Sequence, residues 1–222
     1  MKTRPHPKNV LVLDVGGTHV KIHLTGSRKL VKFDSGPAMT AAKMVAAVRN
    51  ATADWKYDAV SIGYPGPVKN DQPVLEPHNL GSGWVHFDFR KAFGRPVQII
   101  NDAAMQALGG HVGGHMLFLG LGTGLGSALV IDKTVLPLEL AHLPYRKNRT
   151  YEEYLGEAGL ERLGKKKWLE HVWIVVELLR KATGADYVVL GGGNTRLIKK
   201  FPADVIPGKN SNAFRGGEKL WR

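Results

Sequence analysis

Two glycine-rich turns, each following an apolar strand, constrain this chain more than any other feature. Residues 10–13 are a continuous apolar run that leads into Asp14-Val15-Gly16-Gly17-Thr18, and residues 116–121 lead into Gly122-Thr123-Gly124-Leu125-Gly126. Glycines at such positions let the backbone turn tightly and present unshielded N–H groups to an anion. Because glycine weakens a strand, a phosphate-contacting hairpin explains the second run better than a regular sheet does. A plain hairpin and a bulged hairpin are the purely structural alternatives.

The order of the apolar and periodic segments predicts an α/β protein. Strands are expected at residues 10–13, 20–24, 30–33, 59–62, 97–100, 116–121, 127–131 and 187–190, and helices at 41–53, 103–108, 151–163 and 167–183. The pattern restarts near residue 97, which predicts two lobes with a cleft between them, residues 1–101 and 102–222. Residues 69–95 lack periodicity and are interpreted as a long functional loop or a small insert. The basic tail from Phe201 has no predicted fold.

Composition excludes several classes of chemistry. The chain has no cysteine, which rules out disulfides, Cys-ligated zinc and a thiol nucleophile. Its formal net charge of +12, from 31 basic and 19 acidic side chains, attracts nucleotides, nucleic acid, polyphosphate or anionic lipid without choosing among them. A basic surface without a specific partner is the alternative. Since no apolar run approaches the length of a membrane span, about 18 residues, a soluble cytoplasmic protein is expected.

The first glycine turn carries side chains suited to a phosphate donor. Asp14 ends the preceding strand, where its carboxylate is placed to hold Mg²⁺ directly or through water. Thr18 adds a hydroxyl donor, and Lys21 in the next strand adds a positive charge. Gly16 and Gly17 supply the backbone N–H groups. The whole pattern of strand, Asp, Gly-Gly-Thr and second strand therefore predicts a phosphate site more specifically than the glycines alone.

Asn101 and Asp102 lie between the end of a predicted strand and the start of a predicted helix. Asp is a good helix N-cap, so a purely structural role is one interpretation. The other is a general base, because loops at strand ends collect ligands and phosphoryl transfer needs an acceptor for the proton of the attacking hydroxyl. In that second interpretation Asn101 supplies a hydrogen bond to the same substrate.

Two further motifs carry weaker signals. Glu139 and His142 are spaced by three, so both side chains are expected on one face of a helical turn, where they suit the hydroxyls of a polyol. Surface residues without a role are the alternative, and a metal site is disfavoured because no third ligand is evident. The segment Gly191-Gly192-Gly193-Asn194 follows a predicted strand and either approaches a nucleotide or only turns the chain.

Taken in order, these motifs resemble those of the ROK family of sugar kinases, within the actin-like ATPase superfamily. The resemblance covers residues 10–195 and rests on Asp14-Val15-Gly16-Gly17-Thr18, Gly63-Tyr64-Pro65-Gly66, Asn101-Asp102-Ala103, Leu121-Gly122-Thr123-Gly124-Leu125-Gly126, Glu139-Leu140-Ala141-His142 and Gly191-Gly192-Gly193. It implies a two-lobed actin-like ATPase (ribonuclease H-like) fold, a Mg²⁺-dependent hexose kinase activity and a homodimer.

The resemblance also implies roles for individual residues. Asp102 is expected to take the proton of the sugar hydroxyl. The expected sugar contacts are Asn101, Glu139 and His142, together with Asn79 and Trp84 from a segment similar to the family's sugar-side loop. The contacts to the phosphate donor that it implies are Gly16, Gly17, Thr18, Gly122, Thr123 and Gly124. The residue patterns described above add Lys21 and Gly192 as donor contacts and Asp14 at Mg²⁺.

Departures from the family pattern narrow the expected branch. Many members carry a Cys-rich zinc motif after Glu-x-Gly-His, whereas this chain has no cysteine, has Ala141 in place of the glycine and is shorter than typical bacterial glucokinases. Together with Lys21, these differences make it most similar to the polyphosphate glucokinases, and no zinc is expected. A basic surface suits a polyanionic donor. The expected reaction is phosphoryl transfer from polyphosphate, ATP or both to the 6-hydroxyl of a hexose, with glucose favoured.

Two other functions are compatible with parts of the sequence. ROK-type repressors pair this fold with a DNA-binding helix-turn-helix, but only nine residues precede the first predicted strand, too few for such a domain. A catalytically degenerate sugar sensor is the alternative that this leaves. Direct nucleic-acid binding through the basic surface predicts a steeply salt-dependent affinity for DNA that glucose does not change. Neither nucleic acid nor a membrane is expected as a partner.

Overall fold

A computed structural model describes residues 7–132, 134–209 and 211–222, and the chain forms two compact units. The first unit runs to Met105 and also includes Ala213–Arg222, whereas the second contains Gln106–Asn212. The chain therefore passes between units close to the expected boundary at residues 101 and 102. The C-terminal tail, which was expected in the second lobe, belongs to the first unit.

The first unit is built on a five-stranded sheet with one small additional hairpin. In chain order its strands are β1 (Val10–Val15), β2 (His19–Leu24), β3 (Leu30–Asp34), β4 (Ala59–Tyr64), β5 (Val68–Lys69), β6 (Gln72–Pro73) and β7 (Val97–Asn101). The large sheet has the order β3-β2-β1-β4-β7, and β5 pairs with β6. Strands β1, β4 and β7 are parallel, so their carboxyl ends lie at the same edge of the sheet.

Helices cover both faces of this sheet. They are α1 (Ala41–Ala51), α2 (Phe89–Phe93) and α3 (Asp102–Gly110), which starts in the first unit and ends in the second. Strand β1 is buried along its whole length, which explains its continuous apolar sequence. On one face Leu11 and Leu13 pack in a core that includes Met44 and Val48 of α1.

The C-terminal segment packs on the opposite face of the same strands, which explains why it belongs to the first unit. Val10 and Val12 form a small apolar cluster with Met105 and Ala213. The buried hydroxyl of Ser61 on β4 donates a hydrogen bond to the carbonyl of Gly217 at 2.6 Å and accepts one from the Trp221 indole at 2.8 Å. A side chain at Gly217 would overlap Val12, so a glycine lets the segment lie close to β1.

The second unit contains another five-stranded sheet. Its strands and helices are β8 (His115–Leu121), β9 (Leu125–Ile131), β10 (Thr134–Leu138), β11 (Pro144–Arg146), β12 (Arg149–Thr150), α4 (Tyr151–Leu155), α5 (Glu157–Thr183), β13 (Tyr187–Gly191), a 3₁₀ helix (Gly193–Leu197) and β14 (Val205–Pro207). Helix α6 (Asn212–Lys219) follows and leads back to the first unit. The sheet order is β10-β9-β8-β13-β14, and β11 pairs with β12. Within the described ranges, no helix is long and apolar enough to cross a lipid bilayer.

All eight predicted strands are present, but some elements are not where the sequence indicated. Strand β10 was not predicted because Pro137 interrupts its pattern, and such a proline is tolerated since β10 is an edge strand. Residues 69–95, interpreted as a long loop or a small insert, contain β6 and α2, which fits the second of these alternatives. The break predicted between residues 163 and 167 is present, because the backbone of α5 leaves helical geometry at Gly164 (φ +72°, ψ 155°). A second break, which was not predicted, separates α4 from α5 at Gly156, where a side chain would lie 2.8 Å from the Thr123 carbonyl oxygen.

Candidate functional site

The carboxyl ends of β1, β4 and β7 bring several predicted site residues to one edge of the first sheet. The strand register pairs Asp14 with Gly63 and Tyr64 with Asn101. Neighbouring strands are about 4.8 Å apart, so the backbones of β1 and β7 are separated by about 10 Å. Asp102 follows Asn101 directly and is half-buried. The first unit therefore places the predicted carboxylates of Asp14 and Asp102 at the same edge of one sheet, with β4 between their strands.

Asn101, and not Asp102, caps helix α3. The Asn101 side-chain oxygen accepts a hydrogen bond from the Ala104 N–H at 3.0 Å, which is the usual N-cap bond. The Asn101 amide nitrogen donates to the carbonyl of Gly66 at 3.2 Å. Asp102 is the first residue of the helix, and its Oδ1 accepts from the Ala103 N–H at 2.8 Å. The purely structural interpretation of Asp102 as the N-cap is therefore wrong.

The segment Gly63-Tyr64-Pro65-Gly66 determines how closely α3 approaches β4. A side chain at Gly63 would overlap the end of Met105 and would lie 3.4 Å from the Cα of Asp102. Tyr64 is fully buried, and its hydroxyl donates to the carbonyl of Leu75 at 2.8 Å. Burial, and to a smaller extent the charge of Glu76, raise the pKa of Tyr64, so the phenol keeps its proton and remains a donor.

The first glycine turn is closed by backbone bonds and is approached closely by another loop. The Gly16 N–H donates to the His19 carbonyl at 2.9 Å, and the Ser35 hydroxyl donates to the Gly16 carbonyl at 2.6 Å. A side chain at Gly17 would lie 2.7 Å from the Cβ of Asn79. Thr18 is exposed. Gly17 is thus required by the contact with Asn79, a reason that the sequence pattern alone did not indicate.

Asp14 and Lys21 pair with each other beside this turn. Lys21 Nζ lies 3.0 Å from Asp14 Oδ2, and the side chains are 45% and 11% exposed, respectively. Among the described residues no group of three or more His, Asp or Glu side chains could hold a metal ion. A single carboxylate fits the kind of Mg²⁺ site in which substrate phosphates and water supply the other ligands. The donor set therefore fits Mg²⁺ only together with a phosphate substrate.

The loop from Glu76 to Val85 separates its two predicted sugar contacts. Asn79 is exposed and lies against Gly17. Trp84 is fully buried, with its ring 5.5 Å from that of Tyr64, and its indole N–H donates to the Met39 carbonyl at 3.3 Å. The expected sugar contact of Trp84 is therefore corrected: it anchors the loop to the core, where its large apolar surface is removed from water.

In the second unit, the glycine turn between β8 and β9 rests on α4. The Gly122 N–H donates to the Gly124 carbonyl at 3.1 Å. The Glu152 carboxylate accepts from the Leu125 N–H at 3.0 Å, and a side chain at Gly124 would overlap this carboxylate. The carbonyl of Thr123, whose side chain is exposed, accepts from the N–H of Glu157 at 3.2 Å. The helix start thereby fixes the turn from one side.

The triple-glycine segment supports the same turn from β13. Gly192 has φ of +85°, and an added side chain would overlap the backbone carbonyl of Leu121. The Asn194 amide donates to the Gly122 carbonyl at 3.2 Å. This segment therefore packs directly against the second glycine turn and does not only turn the chain.

Glu139 and His142 do not share a helical turn, contrary to expectation. Glu139 directly follows β10 outside any helix, and His142 lies in a turn closed by a bond from the Leu143 N–H to the Leu140 carbonyl at 3.2 Å. The carbonyls of Ala141 and Leu143 instead accept hydrogen bonds from the first N–H groups of α4, at 3.0 and 3.1 Å. Both predicted side chains are exposed, while Ala141 between them is buried.

Sequence reasoning missed Glu152, which links the Glu139–His142 segment to the second glycine turn within the second unit. Its backbone N–H bonds to Ala141, and its carboxylate bonds to Leu125 of the glycine turn. The capping box of Thr150 and Glu153 marks the start of α4 in the sequence. It draws attention to Glu153, however, and not to the preceding residue, Glu152.

An aromatic cluster holds the hairpin that follows His142. The Tyr145 hydroxyl lies 3.0 Å from His171 Nδ1. The Tyr145 ring stacks on that of Tyr151, with centroids 5.2 Å apart, and forms a T-shaped contact with that of Tyr154, with centroids 5.0 Å apart. Burial raises the pKa of Tyr145. Burial, and then the nearby charge of Arg146, lower the pKa of His171, so the neutral imidazole is favoured.

Comparisons with known proteins agree with these motifs. The model of the ROK family matches residues 10–137. A polyphosphate glucokinase of Mycobacterium tuberculosis is 28% identical over 213 residues, which cover 85% of this chain and 79% of the relative. A glucokinase of Pyrobaculum calidifontis is 26% identical over 129 residues, which cover 53% of this chain and 44% of the relative.

Solved structures share the fold along nearly the whole chain. The polyphosphate/ATP-glucomannokinase of Arthrobacter sp. strain KM has a TM-score of 0.80 at 21% identity and covers 95% of this chain and 96% of its own. A Streptomyces griseus glucokinase solved with glucose and AMPPNP has a TM-score of 0.75 at 18% identity, covering 96% and 99%. A transcriptional regulator homologous to the E. coli MLC protein also matches, with a TM-score of 0.69 at 15% identity, and the match covers 96% of this chain and 77% of the regulator. The predicted α/β fold of the actin-like ATPase class is confirmed.

Proposed function

Because the chain belongs to the ROK family, we propose that it is a sugar kinase that phosphorylates the 6-hydroxyl of a hexose, with glucose as the favoured acceptor. The observation that carries the proposal is the edge of the first sheet, where Asp102 follows β7, Asp14 is the penultimate residue of β1 and Asn79 lies against Gly17. The sugar kinases among the relatives and structural neighbours support the same chemistry.

Asp102 is the proposed general base. As the attacking sugar oxygen forms its bond to phosphorus, the bond to the leaving phosphate breaks and the hydroxyl proton passes to the Asp102 carboxylate. Asn101 supports this role by fixing the start of α3 through bonds at both ends of its amide. Phosphoryl transfer depends mainly on position and electrostatics, so a side chain placed by such a rigid helix start suits the step.

Other residues of each unit are proposed to bind the sugar. In the first unit Asn79 and Asn101 are the candidate donors and acceptors for sugar hydroxyls, and Asn79 is exposed. In the second unit Glu139 and His142 remain candidates because both are exposed around a buried alanine. A carboxylate and an imidazole offer an acceptor and a donor–acceptor, the combination that a polyol needs.

The glycine turns are proposed to bind the phosphate donor. In the first unit the candidates are Gly16, Gly17, Thr18 and Lys21, and in the second they are Gly122, Thr123, Gly124 and Gly192. Asp14 is the candidate Mg²⁺ ligand, and the ion when bound neutralises charge on the transferred phosphoryl group. Lys21 adds a fixed positive charge beside Asp14.

Polyphosphate is the proposed donor because exposed cations follow the triple-glycine segment, which packs against the second glycine turn. Arg196 is two residues beyond Asn194, which bonds to the turn, and Lys209 follows Gly208, whose N–H bonds to the Leu190 carbonyl at 2.7 Å. Lys199 and Lys200 lie between them, and all four cations are exposed. The only acid between residues 187 and 217 is Asp204, which forms an ion pair with Arg180 at 2.8 Å. A chain of phosphates would be attracted here.

A coupled assay that crosses a panel of hexoses with ATP and polyphosphate tests the proposal. The expected result is phosphorylation of glucose with polyphosphate, and no phosphorylation of any hexose with either donor would refute the kinase. Activity with ATP alone would refute the polyphosphate donor.

A charge variant tests where polyphosphate binds. Replacement of Arg196, Lys199, Lys200 and Lys209 by glutamine should raise the KM for long-chain polyphosphate about tenfold, with a reduced salt dependence. The control replaces Lys165, Lys166 and Lys167, three exposed lysines of α5, by glutamine. An equal rise of KM in the control would show that only net charge matters and would refute a local chain-binding surface.

A further inference from the structure

Glu76 closes the loop that carries Asn79. Its two carboxylate oxygens accept hydrogen bonds from the Trp84 N–H at 3.1 and 3.2 Å, and one of them also accepts from the Val85 N–H at 3.2 Å. Hydrogen bonds to an ionised carboxylate are about twice as strong as those between neutral groups. The carboxylate thus joins the first residue of the loop to its last two, eight and nine residues later.

The closed loop is attached to the rest of the first unit at two other places. The Gly81 N–H donates to the Met39 carbonyl at 3.0 Å, and the Trp84 indole donates to the same carbonyl at 3.3 Å. Leu80 is buried, whereas its neighbour Asn79 is exposed and lies against Gly17. The position of Asn79 relative to the glycine turn therefore depends on how the loop backbone is held on both sides of it.

The loop needs such a restraint because its sequence is permissive. Gly81 and Gly83 lie within it, and Gly83 has φ of +87° with open space around it, so neither packing nor sterics fixes that position. Without the carboxylate, the N–H of Trp84 would lose its partner beside a fully buried indole. Because an unsatisfied N–H is costly, the loop backbone around Trp84 would be expected to rearrange until this N–H finds another acceptor.

The electrostatics keep Glu76 in the form that accepts these bonds. Burial, the largest influence, raises the pKa of Glu76, but the backbone N–H groups of Trp84, Val85 and Gly83 together outweigh it and leave the pKa below its usual value. The nearby Tyr64 hydroxyl keeps its proton and donates to the Leu75 carbonyl. At neutral pH the loop is therefore closed by a carboxylate.

We propose that Glu76 is a positioning residue for sugar binding, because its carboxylate holds Asn79 beside the first glycine turn. The inference rests on the proposed function, since it assigns Glu76 an effect on the sugar and not on the phosphate donor. Glu76 acts through the loop backbone and is not placed in contact with the substrate.

Four variants of the full chain test this role in the glucose kinase assay. Glu76→Ala should raise the KM for glucose about tenfold while the KM for polyphosphate changes less than about twofold. Glu76→Gln, which retains one acceptor oxygen, should restore part of the affinity. Asn79→Ala should also raise the KM for glucose, and the double variant should be no worse than the poorer single variant, because both changes remove the same contact.

Hydrogen exchange supplies a readout that does not depend on activity. The amides of Trp84 and Val85 should exchange faster in Glu76→Ala than in the wild type, while amides of β8 in the second unit should not change. Glu161→Gln removes another exposed glutamate, on α5, and should alter neither exchange in the loop nor the KM for glucose. If Glu76→Ala does not fold, Glu76→Gln carries the same comparison.

The outcomes separate this inference from the proposed function. If the wild type phosphorylates no hexose, the kinase proposal fails and the inference fails with it. If the wild type is active and Glu76→Ala leaves the KM for glucose unchanged, only the inference is overturned. Additive effects of Glu76→Ala and Asn79→Ala, or an equal rise in the KM for the donor, would also overturn it, because Glu76 would then act on the fold in general.

Discussion

The two glycine turns share a sequence pattern but are supported by different kinds of contact. The first has charged and polar side chains around it, namely the Asp14–Lys21 ion pair and Asn79, which lies against Gly17. The second is held by close packing and by side chains that bond to its backbone, with Gly192 against Leu121, the Glu152 carboxylate on the Leu125 N–H and the Asn194 amide on the Gly122 carbonyl. Substitutions around the first turn should therefore mainly reduce activity, whereas substitutions of residues that pack against the second turn should mainly reduce stability.

The largest effect is expected from Asp102→Asn in the first unit. Loss of a general base lowers kcat by about 10²–10⁴-fold, while stability should hardly change, because the N-cap bond of α3 belongs to Asn101. The measurements are kcat with glucose and the midpoint of thermal unfolding. This result would place the chemistry at the edge of the first sheet.

Asn101→Ala is the matched control for that variant. It removes the cap and should lower the free energy of unfolding by about 1 kcal/mol, so its defect should be visible in stability as well as in activity. Near-native kcat in a folded Asp102→Asn protein would show that residue 102 is not the base.

The next largest effect is expected from Gly192→Ala in the second unit. Its φ of +85° disfavours any side chain, and the new methyl group would overlap the Leu121 carbonyl, which is backbone and cannot swing away. A loss of about 3 kcal/mol in the free energy of unfolding is expected. Urea unfolding measures it.

Gly193→Ala, one residue later, is the control, because nothing lies within 4 Å of its added side chain. It should leave stability within about 0.5 kcal/mol. Equal losses in both variants would mean that the close packing of Gly192 against the second turn is not what makes glycine necessary there.

Sequence patterns predicted the strands and turns well because local chemistry determines them. The apolar run of β1, buried on both faces, and the Asp-Gly-Gly-Thr turn are visible without any partner. The Asn101-Asp102 pair was found at a strand end for the same reason, although which of the two caps the helix required atomic positions.

The remaining features depend on contacts between distant parts of the chain. An exposed loop tryptophan and a buried one have the same sequence signal, and only the Tyr64 and Met39 contacts show that Trp84 is buried. The helical turn predicted at Glu139–His142 was wrong, because α4 supplies the hydrogen-bond partners of that segment. The tail from Phe201 was left without a fold because α6 has its partners in β1 and β4, and even the nearer of these contacts, Ser61 to Gly217, joins residues 156 positions apart.

A smaller effect, on substrate affinity, should again distinguish the two turns. Gly17→Ala would place a methyl group 2.7 Å from Asn79 Cβ and displace the loop, whereas nothing lies within 4 Å of a side chain added at Gly122. Gly17→Ala should raise the KM for glucose about tenfold, an effect close to 1.4 kcal/mol, and Gly122→Ala should leave it unchanged. Steady-state kinetics at saturating donor measures both, and similar KM values for the two variants would remove the distinction between the turns.

The smallest effect concerns pH and the aromatic cluster of the second unit. The groups facing His171 are Tyr145 and Tyr154, the cations of Arg146 and Arg162, and the carboxylate of Glu170. Folding lowers the pKa of His171 below its usual 6.5, so above pH 6.5 the residue is neutral in both states and does not reduce stability. As the pH falls below 6.5, the unfolded chain takes up the proton first and stability declines, until the pH passes below the pKa of the folded state.

His171→Phe keeps an aromatic ring against Tyr154 but has no group that titrates in this range. The decrease in thermal midpoint between pH 7.5 and pH 5.5 should be smaller in this variant than in the wild type, by about 2 °C or less. His115→Gln, which removes an exposed histidine of β8, should keep the wild-type decrease. A steeper decrease in His171→Phe would mean that protonated His171 stabilises the fold, which is the opposite sign to that expected for a half-buried imidazole beside two arginines.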